Sequence, residues 1–269
     1  MHIRVGPNKV ILIGLLQPVL DGVKLFLKER RVLFNITKFF YFLFPFLSLF
    51  IILMVWQSFC FLNFEFLLNS FLFFILFSSI SVYTVIGRGW VSNSKYSLLG
   101  CYRRVAQVIS YEVGFVFLIL VFSFFISSYS YRFLLQKNVL SHVLFYGCIF
   151  VFIIWFVVII AELNRSPFDF AERESELVSG FNIEFGGLKF AFLFLAEYGR
   201  IIYISYLTLL IFVGTDLFYC LLFIFIIVWV RGVFPRYRYD NLIYLNWKLF
   251  LPFILIFLCI IFIFFMCVM

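Results

Sequence analysis

The segment AELNRSPFDFAERESELVSGFNIEFGG, Ala161 to Gly187, holds Glu162, Asp169, Glu172, Glu174, Glu176 and Glu184. These are six of the 13 acidic residues in a 269-residue chain that is 65% hydrophobic. Carboxylates gathered between two apolar runs can do two kinds of work. Fully exposed, they form a solvated acidic surface. Partly dry, they repel one another, and some then hold protons near neutral pH. Glu172, Glu174 and Glu176 alternate along the chain and cannot all share one helical face. Phe168, Phe170, Leu177, Val178, Phe181 and Ile183 are interleaved with them, which favours a loop that packs inward.

Two further carboxylates lie inside apolar runs. Glu112 stands in ISYEVGFVFLIL and Glu197 in FLFLAEYGRIIYISY. With the spans described below, each sits roughly 10–12 Å from the same membrane surface at 1.5 Å rise per residue. An ionisable group at that depth costs about 2.5–3.5 kcal/mol on insertion scales, so it faces protein or water and is a candidate for function. Arg200 follows Glu197 at i+3, and a local ion pair between them would account for Glu197 without any function. Glu112 has no such neighbour on its own helix. Glu112, Glu162 and Glu197, with the loop acids, make a file of carboxylates of the kind from which proton relays are built.

The elements that position these groups follow from hydropathy. Mean hydropathy is +1.14 and 13% of residues are charged, about half the share of a soluble domain. The apolar runs are continuous and do not alternate at period two, which excludes a transmembrane barrel. The chain reads as an all-α membrane protein with about seven transmembrane helices, over residues 38–58, 70–87, 105–126, 143–161, 189–211, 216–233 and 249–268. Gly214 and Asp216 break the chain between the fifth and sixth. With these spans, 18 of the 21 Lys and Arg residues fall on one side and two on the other, with Arg200 inside a span. By the positive-inside rule the N-terminus lies on the inner side and the C-terminus outside. The net charge of +8 thereby reports membrane orientation and gives no nucleic-acid signal.

Residues 1–37 form an N-terminal segment, and 38–269 the membrane domain with its acidic inner-side loop at 162–188. Within the first, Gln17, Asp21, Lys24 and Lys28 fall at i, i+4, i+7 and i+11, opposite Leu16, Val19, Leu20, Val23, Phe26 and Leu27. This is an amphipathic interfacial helix with Pro18 in its first turn, and it either serves a site or only anchors the chain. The six cysteines include no CxxC pair, and His2 and His142 lie far apart, so the spacing supports no metal or cluster held by this chain. Phe occurs 44 times and Ala five, a bias that suggests an A+T-rich, organelle-like genome.

The stretches RVGPNKV, GLLQPVLDGVKLFLKE, GWVSNSKYSLLG, RVAQVISYEV, AELNRSPFDFAERESELVSGFNIEF, FLAEY and VFPRYRYDNLIYLNWKLFLP occur in the order seen in subunit 1 of respiratory NADH:quinone oxidoreductase, complex I. The chain resembles that family over essentially its whole length. The resemblance implies a subunit that walls the quinone-reduction chamber and is not catalytic alone. Asp21, Lys24, Arg231 and Phe181 would line or gate the chamber. Glu112, Glu162, Glu172, Glu174, Glu176, Glu184 and Glu197 would form a proton path, with Asp169, Arg165 and Arg200 in support. Ubiquinone would be the substrate, with no covalently bound cofactor and with flavin and iron–sulfur clusters in partner subunits. The partners would be peripheral-arm and antiporter-like subunits, and phospholipid. Together with the compositional bias, the expected location is the mitochondrial inner membrane, N-terminus in the matrix and C-terminus in the intermembrane space. The family carries a further spanning helix ahead of RVGPN, and the expectation is that a separate polypeptide supplies it. A stand-alone proton-coupled transporter is the alternative from another class, but no broken helices or internal repeat point to it. A purely structural scaffold would leave Glu112 and Glu197 without a reason.

Overall fold

A computed structural model describes residues 14, 16–28, 37–60, 69–126, 131, 149–169, 185–214 and 217–268. Within the described residues each expected apolar run is helical: α2 (Lys38–Cys60), α3 (Ser70–Val91), α4 (Lys95–Ile126), α5 (Ile149–Glu162), α6 (Leu188–Phe212), α7 (Leu217–Val233) and a last helical run beginning at Tyr239. That run comprises α8 (Tyr239–Tyr244), a π-helical stretch Leu245–Phe250 and α9 (Leu251–Val268). Five units are long and apolar enough to cross a membrane: α2, α3, α4, α6 and the run from Tyr239. α5 and α7 are apolar but shorter within the described residues. No strand occurs among the described residues.

Two helices begin well before their apolar runs. α4 starts at Lys95, not near 105, and its 32 residues span roughly 48 Å at 1.5 Å each, against a hydrocarbon core of about 30 Å. The stretch KYSLLGCYRRVAQ is too polar for a hydropathy window, yet it is helical because it packs on α3. The connection between α3 and α4 shrinks to Ser92–Ser94, where the Ser92 and Ser97 hydroxyls meet in a buried contact. The last run likewise begins at Tyr239 rather than 249. Its π turns end just before Pro252, whose missing N–H and ring conflict with α-helical bonding four residues back.

Before the bundle, α1 (Gln17–Leu27) forms with Pro18 in its first turn, and none of its residues is buried. Gln17 Nε2 donates to Asp21 Oδ1 at 3.1 Å, along the polar face the spacing predicts. The link from α6 to α7 passes through Gly214 at φ +122°, a value that suits glycine.

The core is aromatic, as 44 phenylalanines require. Phe74 stacks on Tyr203 at 5.2 Å and Phe115 on Trp155 at 4.9 Å. Phe122 meets Phe212 edge-on at 5.2 Å. These contacts tie α3, α4, α5 and α6 together with offset and T-shaped geometries that aromatic quadrupoles favour. At the α3–α4 end the packing is closer. A Cβ built on Gly89 would lie 2.3 Å from Cys101 Cβ. Neither atom belongs to a flexible side-chain end, so one helix would have to move. Gly89→Ala is expected to cost about 1–3 kcal/mol by overpacking, read as a fall in the melting temperature of the detergent-solubilised protein. An unchanged melting temperature would show that the two helices do not approach this closely.

Candidate functional site

A cavity with a partly polar wall opens within this aromatic bundle. Its walls include Ser78, Ser81 and Arg88 of α3, Arg104 of α4, Glu162 of α5, and Glu197 and Arg200 of α6. It holds about 50 Å³ of water-accessible space, enough for a few water molecules where polar partners are present. On α3 the polar residues recur as Ser78, Ser81, Thr84 and Arg88, a stripe down one side of an otherwise apolar helix. Each hydroxyl also donates to the carbonyl three residues back: Ser78 to Ile75, Ser81 to Ser78 and Thr84 to Ser81.

Glu197 is held from two sides. Arg104 Nη1 and Nη2 donate to its Oε1 at 3.3 and 3.4 Å, and Arg165 Nη2 donates to its Oε2 at 3.1 Å. Arg165 also lies 5.2 Å over the Tyr198 ring, a cation–π contact that fixes its approach. The local Glu197–Arg200 pair suggested by the i+3 spacing is not the arrangement formed. Arg200 turns into the cavity, where Nη2 donates to Ser81 Oγ at 2.7 Å and Nη1 lies 3.7 Å from Glu162 Oε1. The reason is tertiary. Arg104 and Arg165 come from other segments and meet Glu197 head-on, leaving Arg200 to the serines of α3 and the buried Glu162.

Glu112 is half-buried on α4 and accepts a hydrogen bond from Ser78 Oγ at 3.0 Å. A polar line therefore runs from Glu162 through Arg200 to Ser81, and from Ser78, one helical turn away, to Glu112. The backbone flanking Glu112 is anchored by the last helical run. Asn246 Nδ2 donates to Ser110 O at 2.5 Å, and Tyr111 Oη donates to Leu242 O at 3.0 Å. Gln107, one turn before, clamps the start of the acidic loop, donating to both Ala161 O and Phe168 O at 3.0 Å. Tyr237 N adds a bond to Pro167 O at 3.1 Å.

Of the carboxylates singled out by sequence, Glu162 and Glu197 share the cavity wall and Glu112 reaches it through Ser78. Arg165 and Arg200 are their cations, and Asp169 is buried just beyond the Gln107 clamp. Asp21, Lys24 and Arg231 are exposed and do not line the cavity. Glu172, Glu174, Glu176, Glu184 and Phe181 lie outside the described residues. Sequence reasoning missed Ser78, Ser81, Arg88, Arg104 and Gln107. Arg88 and Arg104 entered it only as inner-side charges, yet they are 4% and 6% exposed. The signal was present in the serine, threonine and arginine spacing of α3, since polar groups recurring on one side of a membrane helix mark a protein-facing or wet surface.

Known proteins resemble the chain throughout. A family profile described as NADH dehydrogenase matches residues 1–262. A protein of Aedes aegypti named NADH-ubiquinone oxidoreductase chain 1 is 46% identical over 260 residues, covering 94% of this chain and 82% of the relative. Proteins of the same name from Rhipicephalus sanguineus and Heterololigo bleekeri are each 44% identical, over 261 and 270 residues. They cover 96% and 94% of this chain, and 83% and 84% of the respective relatives. A match that runs through every helix of the bundle, and through the segments carrying Glu112, Glu162 and Glu197, means that the chain belongs to the NADH dehydrogenase family.

Proposed function

We propose that this chain is the membrane subunit of a proton-pumping NADH:ubiquinone oxidoreductase that walls the quinone chamber and carries a buried carboxylate path away from it. The observation that carries the second half of this reading is the line Glu162–Arg200–Ser81 and Ser78–Glu112 beside a cavity with a partly polar wall in an apolar bundle. Carboxyl groups, hydroxyls and a few waters in such a place can pass protons by short hops without exposing charge to lipid. The acids Glu172, Glu174, Glu176 and Glu184 are assigned to the same path, and Glu197 stands in the cavity wall with Asp169 and Arg165 in support.

The quinone end takes Asp21 and Lys24 of α1, Arg231 at the end of α7, and Phe181. Ubiquinone is a substrate of the assembled complex. Electrons reach it from flavin and iron–sulfur clusters in partner subunits, and this chain contributes a wall and protonatable groups. Its neighbours are the peripheral-arm subunits at the quinone site, the antiporter-like membrane subunits and phospholipid. The location is the mitochondrial inner membrane, with the 18 inner-side cations facing the matrix and the C-terminus in the intermembrane space.

Gentle solubilisation tests the reading. The chain is expected to migrate with NADH dehydrogenase activity in a large assembly, and a photoreactive ubiquinone analogue is expected to label residues near Asp21, Lys24 or Arg231. A monodisperse single-chain particle without that activity would reject a respiratory role.

A further inference from the structure

The carboxylates around the cavity are compensated to different degrees. Glu197 is gripped by two arginines. Glu162 is 3% exposed and has Arg200 at 3.7 Å, too long for a good hydrogen bond. Its Oε2 is buried with no hydrogen-bond partner among the described residues. Glu112 meets the Ser78 hydroxyl, and no ion pair reaches it among the described residues. Arg200 makes its one short bond to a hydroxyl, Ser81, rather than to a carboxylate. Its side chain retains 22% exposure and borders the cavity.

Ser78 and Ser81 lie one turn apart on α3, about 4.5 Å along the axis, on the same face. One serves Arg200 and the other serves Glu112. We propose that Arg200 is a positioning residue of the proton path: its guanidinium steps along α3 from Ser81 to Ser78 and so serves Glu162 and Glu112 in turn. This rests on the carboxylate path proposed above.

The exchange balances. With Glu112 protonated and Glu162 ionised, Arg200 stays at Glu162. When Glu162 takes a proton from the loop side and Glu112 gives its proton onward, the negative charge moves from one carboxylate to the other. The guanidinium, which does not release its own protons, follows that charge by one turn of α3. Transfer of the proton from Glu162 to Glu112 through cavity water restores the first arrangement. At each stage one guanidinium faces one carboxylate while the other carboxyl is neutral. Arg88 and Arg104 line the same cavity toward the C-terminal end of α3, and Ser78 lies toward its N-terminus. Once Glu162 is neutral, the ionised Glu112 is the carboxylate that draws Arg200 toward Ser78.

The test uses Arg200→Gln, Arg200→Lys and Ser81→Ala in the assembled complex. Quinone-coupled NADH oxidation reports the path, and flavin-site oxidation with an artificial acceptor reports assembly. Arg200→Gln is expected to slow quinone-coupled turnover at least about tenfold with the flavin reaction kept. Arg200→Lys retains a mobile cation and is expected to stay within about threefold of the parent, because a compact ammonium needs no fixed fork geometry. Ser81→Ala is expected to slow turnover about threefold by removing the first stepping point. Adding Arg200→Gln to Glu112→Gln is expected to cause no further loss, since the cation then has no second partner. Parent-level turnover in Arg200→Gln, a Lys variant as slow as the Gln variant, or additive losses would each overturn the shuttle. If Arg200→Gln does not assemble, the Lys and Ser81→Ala variants decide it by the same criteria. Should Glu112→Gln slow turnover while Arg200→Gln does not, the path stands and the shuttle is wrong. Should neither matter, the path itself is wrong.

Discussion

Glutamine in place of Glu112 is expected to lower quinone-coupled turnover at least about tenfold while the complex still assembles. The side chain keeps its shape, and its amide oxygen can still accept from Ser78 Oγ, now 3.0 Å from the carboxylate. The backbone around it stays pinned by Asn246 and Tyr111. What the amide cannot do is hold and release a proton. Structure is preserved and the relay step is removed, so flavin-site NADH oxidation with an artificial acceptor should be unchanged. The measurement is the inhibitor-sensitive NADH:quinone rate divided by that flavin-site rate. A ratio equal to that of the unmodified complex would remove Glu112 from the path.

Glu197→Gln is expected to fail in a different way. Its carboxylate accepts hydrogen bonds from both Arg104 and Arg165, and the three side chains are 16%, 8% and 9% exposed. Replacing it leaves two guanidinium groups facing one neutral amide in a nearly dry place. Breaking a buried pair by removing one partner costs about 3–5 kcal/mol, and Arg104 and Arg165 each lose a charge-assisted hydrogen bond to a carboxylate oxygen. Arg165 also sits at the start of the acidic loop, where Phe168 N bonds to Arg165 O, so the damage should spread there. The expected result is a loss of assembled complex, seen as low abundance on native gels, with partial recovery in Glu197→Asp. If Glu197→Gln assembled at the parent level and only turnover fell, Glu197 would be a relay group and not a structural anchor.

How much of this was legible beforehand differs between fold and site. The seven apolar runs were legible because a run of about 20 apolar residues leaves few alternatives to a buried helix. Their ends were less so. Lys95–Ala106 and Tyr239–Lys248 are rich in charged and aromatic residues, yet both continue helices, since backbone hydrogen bonding persists wherever a neighbour or an interface accepts the side chains. The same blindness hid Arg88 and Arg104. A hydropathy reading takes an arginine at the end of an apolar run as the membrane boundary, but both turn inward to the cavity.

By itself the sequence determined that this chain is a helical membrane protein, that its carboxylates Glu112, Glu162 and Glu197 lie in or beside apolar helices, and that its motifs resemble one respiratory family. Those facts depend on residue type and spacing along one chain, which hydropathy and helical periodicity read directly. Only the tertiary structure decided which cation faces which carboxylate: Arg104 and Arg165 at Glu197, Arg200 between Ser81 and Glu162, and a hydroxyl at Glu112. Such partnerships join residues up to 119 positions apart. They depend on which helix faces which and how closely, a matter of packing that local spacing does not encode.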